Sequence, residues 1–290
     1  MAGFIVDTEQ VASLAVDLLK RELVLVATVS RVGADDYKGS GGRTTLRVPV
    51  RRTAKTQPTP GDPIDYTAVD EVPVPFDLVH LYDAVRLTDE TVTLDIVDFG
   101  RQVLEPMVSA VAEGGEGIVA DVMNGVVPSF PWTDLTDATK TRDDVLAARE
   151  ALASADVPSG ARYLACSPSV TTALLKIPEF VKANESGSDS ALREAIIGRV
   201  FSLTVLESSA LDPDTAVAYH RSGFAFASLG PALPQGGAAA SSAVDGGVAL
   251  RILYGFDPGI LSDIVAISTF AGASLVDADR VVRIGETESS

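Results

Sequence analysis

Few residues in this chain are of types that do chemistry, and their spacing works against them. Cysteine occurs once, at Cys166, and histidine twice, at His80 and His220. A thiol nucleophile with an imidazole base is the one covalent arrangement these could form. Neither Cys166 nor His220 sits in a nucleophile motif, and Cys166 closes the apolar run Tyr163-Leu164-Ala165-Cys166, where a free cysteine packs as a small apolar residue. A single cysteine rules out an intrachain disulfide framework and a cysteine-based zinc cluster. Two histidines cannot supply a three-histidine metal site. His80, between Val79 and Leu81, points opposite to them in an alternating strand and reads as a solvent or interface residue.

The paired acids Asp35-Asp36 and Asp143-Asp144 are candidates for metal binding or acid–base work. Adjacent acids diverge on a strand, however, and Asp143-Asp144 opens a helical pattern whose dipole favours negative charge. Gly39-Ser40-Gly41-Gly42 could cradle a phosphate, but it lacks the Gly-Lys-Ser/Thr ending, and a strand pattern rather than a helix follows it. It reads as a hinge. No catalytic, cofactor-binding or metal-binding residue is assigned, and the chain reads as a non-enzyme.

The elements around these residues are more informative. Thr8–Lys20 repeats apolar residues at helical spacing (Val11, Leu14, Ala15, Leu18, Leu19), with Thr8 or Asp7 as cap. Leu23–Val29 reads as a strand. Thr45–Arg52 alternates apolar and polar residues before Pro58, Pro60 and Pro63, as in a long hairpin arm with a proline-rich return. Glu71–Val92 predicts a pair of strands. A helical pattern runs from Ile96 to Val122, weakened by Gly114, Gly115 and Gly117, with Pro106 requiring a kink or break. After a connector at Gly125–Arg142, helices are predicted at Asp143–Ser154, Pro168–Leu175 and Asp189–Ile197. Strands are predicted at Ala161–Cys166, Val200–Leu206, Ala216–Tyr219, Phe224–Ser228, Val248–Tyr254, Ile264–Ala271 and Ser274–Ile284. Gly230–Gly247 reads as a loop. This is α+β rather than a regular βαβ series.

Charge is distributed unevenly. The 290 residues carry a formal net charge of −17, from 23 Lys+Arg and 40 Asp+Glu. Residues 31–61 nevertheless hold seven basic residues (Arg31, Lys38, Arg43, Arg47, Arg51, Arg52, Lys55) against Asp35 and Asp36, a local +5 that leaves −22 on the rest. A basic arm on an acidic body fits docking onto another copy of the chain, with Arg43, Arg47, Arg51, Arg52 and Lys55 as the contacts between subunits. Free nucleic-acid binding is disfavoured by the overall acidity. The N-terminus lacks the positive charge of a signal peptide, and Leu23–Val29 is too short to span a bilayer. No membrane role is expected.

The order of features resembles the major capsid proteins of tailed bacteriophages, with the Hong Kong 97-type fold. An N-terminal helix ending in Leu18-Leu19-Lys20-Arg21-Glu22-Leu23-Val24 precedes an arm with Gly39-Ser40-Gly41-Gly42-Arg43-Thr44-Thr45-Leu46-Arg47-Val48-Pro49. A strand pair, a long helix, an α/β module and closing strands follow. The arginine-rich, lysine-poor composition is similar to the branch found in phages of high-GC, actinobacterial hosts. The resemblance implies an N-terminal arm at 1–30 and an extended loop at 31–72. It implies a peripheral domain with a long spine helix at 73–142, completed by closing strands at 248–290, and an axial domain at 143–247.

The function so implied is self-assembly, as hexamers and pentamers, into an icosahedral shell around double-stranded DNA that is held without sequence-specific binding. A separate scaffolding protein and a portal are implied partners, and decoration proteins are an optional one. The location is the virion, with assembly in the host cytoplasm. No Lys–Asn crosslink is expected, since neither Asn124 nor Asn184 matches a crosslinking motif with Lys38 or Lys55. The alternative is an encapsulin-like cellular nanocompartment. A small hydrolase or transferase built on Cys166 is the third reading.

Overall fold

The computed structural model describes residues 8–32, 43–49, 54–57, 59, 61, 63–66, 68, 71–88, 90, 99–177, 196–235 and 239–286. Helix α1 (Thr8–Glu22) buries Ala12, Ala15, Val16 and Leu19 and leaves Leu14 exposed. Residues 23–29 are not a strand. Leu25–Thr28 forms a single helical turn, α2, because the Leu25 and Val26 N–H groups donate to the Glu116 carboxylate at 2.8 and 3.1 Å. The Thr28 hydroxyl closes the turn onto the Leu25 carbonyl at 2.7 Å. A strand ladder is unnecessary where a side chain satisfies these donors.

Strand β1 (Ser30–Val32) leads to the arm, in which β2 (Arg43–Pro49) pairs antiparallel with β3 (Glu71–Asp77). The strands expected over 71–92 are β3 and β4 (Val79–Thr88), but they do not pair with each other. β4 pairs along its whole length with β12 (Ser262–Leu275). A π-helical turn, Gly100–Leu104, runs straight into α3 (Glu105–Asn124). Pro106 follows directly on this π-helical turn, in which the Glu105 N–H donates to the Gly100 carbonyl, so the helix passes through the proline without dividing in two.

Helix α4 (Ala138–Ser154) starts five residues before its expected point. Its N-cap is Asp137, whose carboxylate accepts from Thr139 N at 2.8 Å and Lys140 N at 3.4 Å. Next come β5 (Arg162–Cys166), α5 (Pro168–Leu174), β6 (Ile196–Val200) and β7 (Leu203–Glu207). The helix expected at 189–197 therefore ends in strand where it is described, and Gly198 lies at a β-bulge. Phe201 and Ser202, with φ of +50° and +69°, form a two-residue turn of the kind that joins twisted strands.

Strands β8 (Ala216–His220), β9 (Phe224–Leu229), β10 (Ala239–Asp245), β11 (Val248–Asp257), β12 and β13 (Val281–Ile284) complete the chain. The expected loop at 230–247 thus contains β10, and Gly246 and Gly247, both at positive φ, turn it into β11. One fourteen-residue strand, β12, replaces the two expected within 264–284, with β13 separate.

Two large sheets, besides the two-stranded β2–β3 sheet of the arm, organise the described residues. The six-stranded sheet runs β1-β9-β12-β11-β10, with β4 on β12, and α1 and α3 pack on one face. Its core includes Met107, Val111, Val119, Phe226, Ile252, Val265 and Ile267. The five-stranded sheet runs β13-β8-β5-β7-β6, and its core draws on Val145, Leu152 and Leu174 from α4 and α5. The chain crosses between sheets: β9 and β10 join the first, while β13 returns to the second.

Helix α3 carries three glycines with different surroundings. A Cβ on Gly114 would lie 3.2 Å from Leu81 Cδ1, whereas one on Gly117 would meet nothing within 4 Å. Gly117→Ala is therefore expected to raise stability by about 1 kcal/mol through helix propensity alone, read as a higher denaturant midpoint. An unchanged or lower midpoint would contradict this.

Candidate assembly surface

The structure separates the residues that could have formed a reaction centre. Arg162 of β5 pairs with His220 of β8, and Cys166 pairs with Ala216, so thiol and imidazole occupy opposite ends of one ladder. Four residues of strand put them roughly 13 Å apart. Burial pushes the Cys166 thiol far above its ordinary pKa, with the Glu207 charge adding to the effect. His220 Nδ1 lies 2.8 Å from Ser222 Oγ. Burial lowers the His220 pKa, and the Arg280 and Arg162 charges lower it further. The Cys166 hydrolase reading has no geometry to support it.

The remaining candidates also have structural roles. His80 is exposed on β4, its ring 4.7 Å from that of Phe270. Asp144 does not cap α4; it accepts from Thr133 N and Thr133 Oγ1, both at 2.8 Å, and so holds the connector. Asp143 pairs with its neighbour Arg142 at 3.0 Å. Among the described residues no group of three or more potential metal ligands occurs. Asp35, Asp36 and Gly39–Gly42 lie outside the described residues.

The arm is the feature left. Arg43 and Arg47 lie on β2, in register with Asp77 and Pro73 of β3. Lys55 is exposed and its Nζ donates to the Asp65 carbonyl at 3.4 Å. Arg51 and Arg52 lie outside the described residues. Pro73 and Pro75 have no N–H to give, so each must turn its nitrogen away from β2. The outer edge of β3 is thereby short of donors, which discourages a third strand from adding to the arm.

The base of the arm is anchored. Val74 and Phe76 are buried against Val32, Ala225 and Ala227, with Leu46 and Leu78 packed alongside. Beyond the base, Ile64, Tyr66 and Val72 expose much of their apolar surface, Tyr66 at 89%. The close approach at the base depends on Gly272 of β12, where a Cβ would lie only 2.6 Å from the Asp77 carbonyl oxygen. A glycine inside a strand is the sequence signal that marks such a contact.

Two further sets of residues hold the N-terminal segment in place. Lys20 pairs with Asp245, and Arg31 donates to the Gly246 carbonyl, so both clasp the β10–β11 turn. Ser109 of α3 donates to Glu22 at 2.8 Å. Glu116 holds α2, and burial raises its pKa despite the N–H bonds it accepts. Glu116→Ala would leave two N–H groups without an acceptor, at an expected cost of about 2–4 kcal/mol.

The raised Glu116 pKa also has a sign in pH. The folded state binds this proton more readily than the unfolded state does. Its contribution is therefore complete below the unfolded value and is lost as pH rises through the folded one. The wild-type minus Glu116→Gln difference in Tm should fall as pH rises from about 4 to about 7. A pH-independent difference would refute this.

A family model described as phage capsid protein matches residues 71–267. The chain belongs to the phage capsid protein family. It is a major capsid protein, a shell-forming structural subunit whose place is the virion capsid. The fold agrees. A chain of Mycobacterium phage Che8 is similar at TM-score 0.62 and 20% identity, covering 91% of this chain and 92% of that one. The capsid of the cyanophage P-SCSP1u is similar at TM-score 0.60 and 13% identity, covering 93% and 88%. A virus-like particle from Pyrococcus furiosus is similar at TM-score 0.59 and 10% identity, covering 95% and 97%. Together they assign the Hong Kong 97-type fold to the capsid protein. No match was found among curated protein sequences.

Proposed function

We propose that this capsid protein builds an icosahedral shell of hexamers and pentamers around double-stranded DNA, its basic arm lying on the acidic surface of an adjacent copy. The observation that carries this reading is the division of charge, +5 over residues 31–61 and −22 elsewhere, in a chain of the phage capsid family. A two-stranded arm is marginal by itself and gains stability from a partner surface. An acidic shell holds DNA without trapping it by phosphate neutralisation. In this reading the six-stranded sheet with α3 builds the peripheral domain and the five-stranded sheet with α4 and α5 the axial one, which moves β9 and β10 out of the expected axial span 143–247 and β13 out of the expected peripheral span 248–290. Residues 1–30 are the N-terminal arm and 31–72 the extended loop. Arg43, Arg47, Arg51, Arg52 and Lys55 make the contacts between subunits.

A separate scaffolding protein and a portal complete assembly in the host cytoplasm, and the chain itself catalyses nothing. The nanocompartment alternative is expected to share the fold, but the family match favours the phage capsid. Negative-stain microscopy of the purified protein, with an assay for enclosed nucleic acid, tests the proposal. Closed shells, filled with DNA when isolated from virions, are expected; a protein that stays monomeric under all assembly conditions would overturn it.

A further inference from the structure

The ends of the five-stranded sheet carry opposite charge. At the end where β5 and β7 begin and β6 and β8 finish, Arg280 immediately precedes β13, His220 ends β8 opposite Arg162 of β5, and Arg199 is next to last on β6, beyond β7 and one register step from the Arg162 row. Arg221 follows His220, and Arg149 of α4 joins them by donating to the Phe201 carbonyl at 3.1 Å. Four strand spacings make this ridge roughly 19 Å long. Arg162 is buried and fixed on the Val157 and Pro158 carbonyls, while Arg149, Arg199 and Arg221 are exposed. Asp277 and Asp279 share the short turn of Arg280, and Asp277 is already engaged by Arg280 at 2.7 Å; Glu150 adjoins Arg149 in sequence. The field at this end is positive enough for Arg280 and Arg162 to lower the His220 pKa, in addition to the effect of burial.

The opposite end is acidic. Glu207 ends β7, Asp212 and Asp214 precede β8, and Glu286 follows β13. Trp132 donates to the Asp214 carbonyl at 2.7 Å and docks there the connector that carries Asp134 and Asp137. Arg283 reaches Asp212 at 3.8 Å, and Lys140 pairs with Asp134.

We propose that these two ends bind each other head to tail, the arginine ridge of one copy against the Glu207/Asp212/Asp214/Glu286 end of the next, closing a ring. Like patches on the same molecule would repel across a two-fold axis; opposite patches at opposite ends give a heterologous contact, and such contacts generate rings. The occupant of the ridge is a second copy because the body of this chain supplies the acidic surface, and charge complementarity fixes the order of docking. The inference rests on the shell-forming reading and adds the contact that orders subunits within one ring.

Charge exchange tests it. Arg199→Glu with Arg221→Glu leaves two acidic ends, and Glu207→Lys, Asp212→Lys and Glu286→Lys together leave two basic ones. Each variant alone should lose about tenfold or more of its assembled fraction, measured by sedimentation near physiological salt, because like charges then face each other. An equimolar mixture of the two, and the combined variant with reversed polarity, should both recover assembly. Arg221 also donates to the Val29 carbonyl at 3.3 Å. Arg149→Glu with Arg199→Glu therefore repeats the test without touching that bond, and thermal melts check that each variant is folded.

Normal assembly of either charge-reversed variant, or no recovery in the mixture and the combined variant, overturns the proposal. So does a ridge variant that forms normal shells with reduced nucleic acid content, which would give the ridge to DNA phosphates instead. Failure of the wild-type chain to form shells would strike at the shell-forming reading itself, and is thereby distinguished from failure of the ring contact.

Discussion

Gly272→Ala will lower the denaturant midpoint by the equivalent of about 1–3 kcal/mol, the range for forcing an extra carbon into a packed site. The added Cβ meets the Asp77 carbonyl oxygen at 2.6 Å and Leu78 Cδ2 at 3.2 Å. The first is backbone and cannot swing aside. Gly272 is also held on its own strand, in register with Ala227 of β9. Either β12 or the end of β3 must move, and β3 carries the arm. Shell yield should therefore fall together with stability. Gly255→Ala, on the neighbouring β11, is the matched control: nothing lies within 4 Å of its added Cβ, so the midpoint should hold or rise. Equal midpoints for the two variants would show that the close approach at Gly272 carries no cost.

That contact also illustrates what the sequence conceals. Local patterns that rest on one element were legible: the apolar spacing of α1 and the strand β5 lie where periodicity places them, and β2 at 43–49 overlaps the alternating run expected at 45–52, whose residues 50–52 lie outside the described ones. Readings failed where a distant side chain or strand decided the outcome. Leu23–Val29 has the valine-rich composition of a strand, yet Glu116, some ninety residues away, satisfies its N–H groups and makes a helical turn possible. The small residues of β10 lack strand propensity, and pairing with β11 imposes the conformation. β3 and β4 read as partners because they are adjacent in sequence, but a single residue, Leu78, separates them, too little for a hairpin turn.

The same distinction applies to the assembly surface. The basic character of residues 31–61 is a property of composition and was visible at once. The opposed ends of the five-stranded sheet were not, because Arg162, Arg199, His220 and Arg280 converge only through strand register. Gly272 offered a weaker signal, a glycine inside an apolar run, without showing what approached it. Cys166 and His220 illustrate the converse: residue types allowed chemistry, and ladder register placed them at opposite ends.

Arg47→Glu, Arg51→Glu and Arg52→Glu combined will leave folded, soluble subunits that do not form shells. The change takes the local charge of residues 31–61 from +5 to −1, against a remainder of −22, so attraction between arm and body becomes repulsion. One exposed ion pair is worth only about 0.2–1 kcal/mol. Three reversals per arm remove that attraction three times and add repulsion of similar size, and every subunit in a shell makes the contact. Assembly multiplies the penalty across many interfaces, whereas folding of the isolated subunit does not depend on it. A wild-type melt with no sedimenting shells is the expected pair of results. The long-range part of the attraction is also screened over about 8 Å at physiological ionic strength. Wild-type assembly driven by the arm should accordingly weaken as salt is raised, while the triple variant should recover partly because its repulsion is screened too. Normal shells from the triple variant at low salt would show that the arm docks by shape and apolar contact, through residues such as Ile64 and Tyr66, rather than by charge.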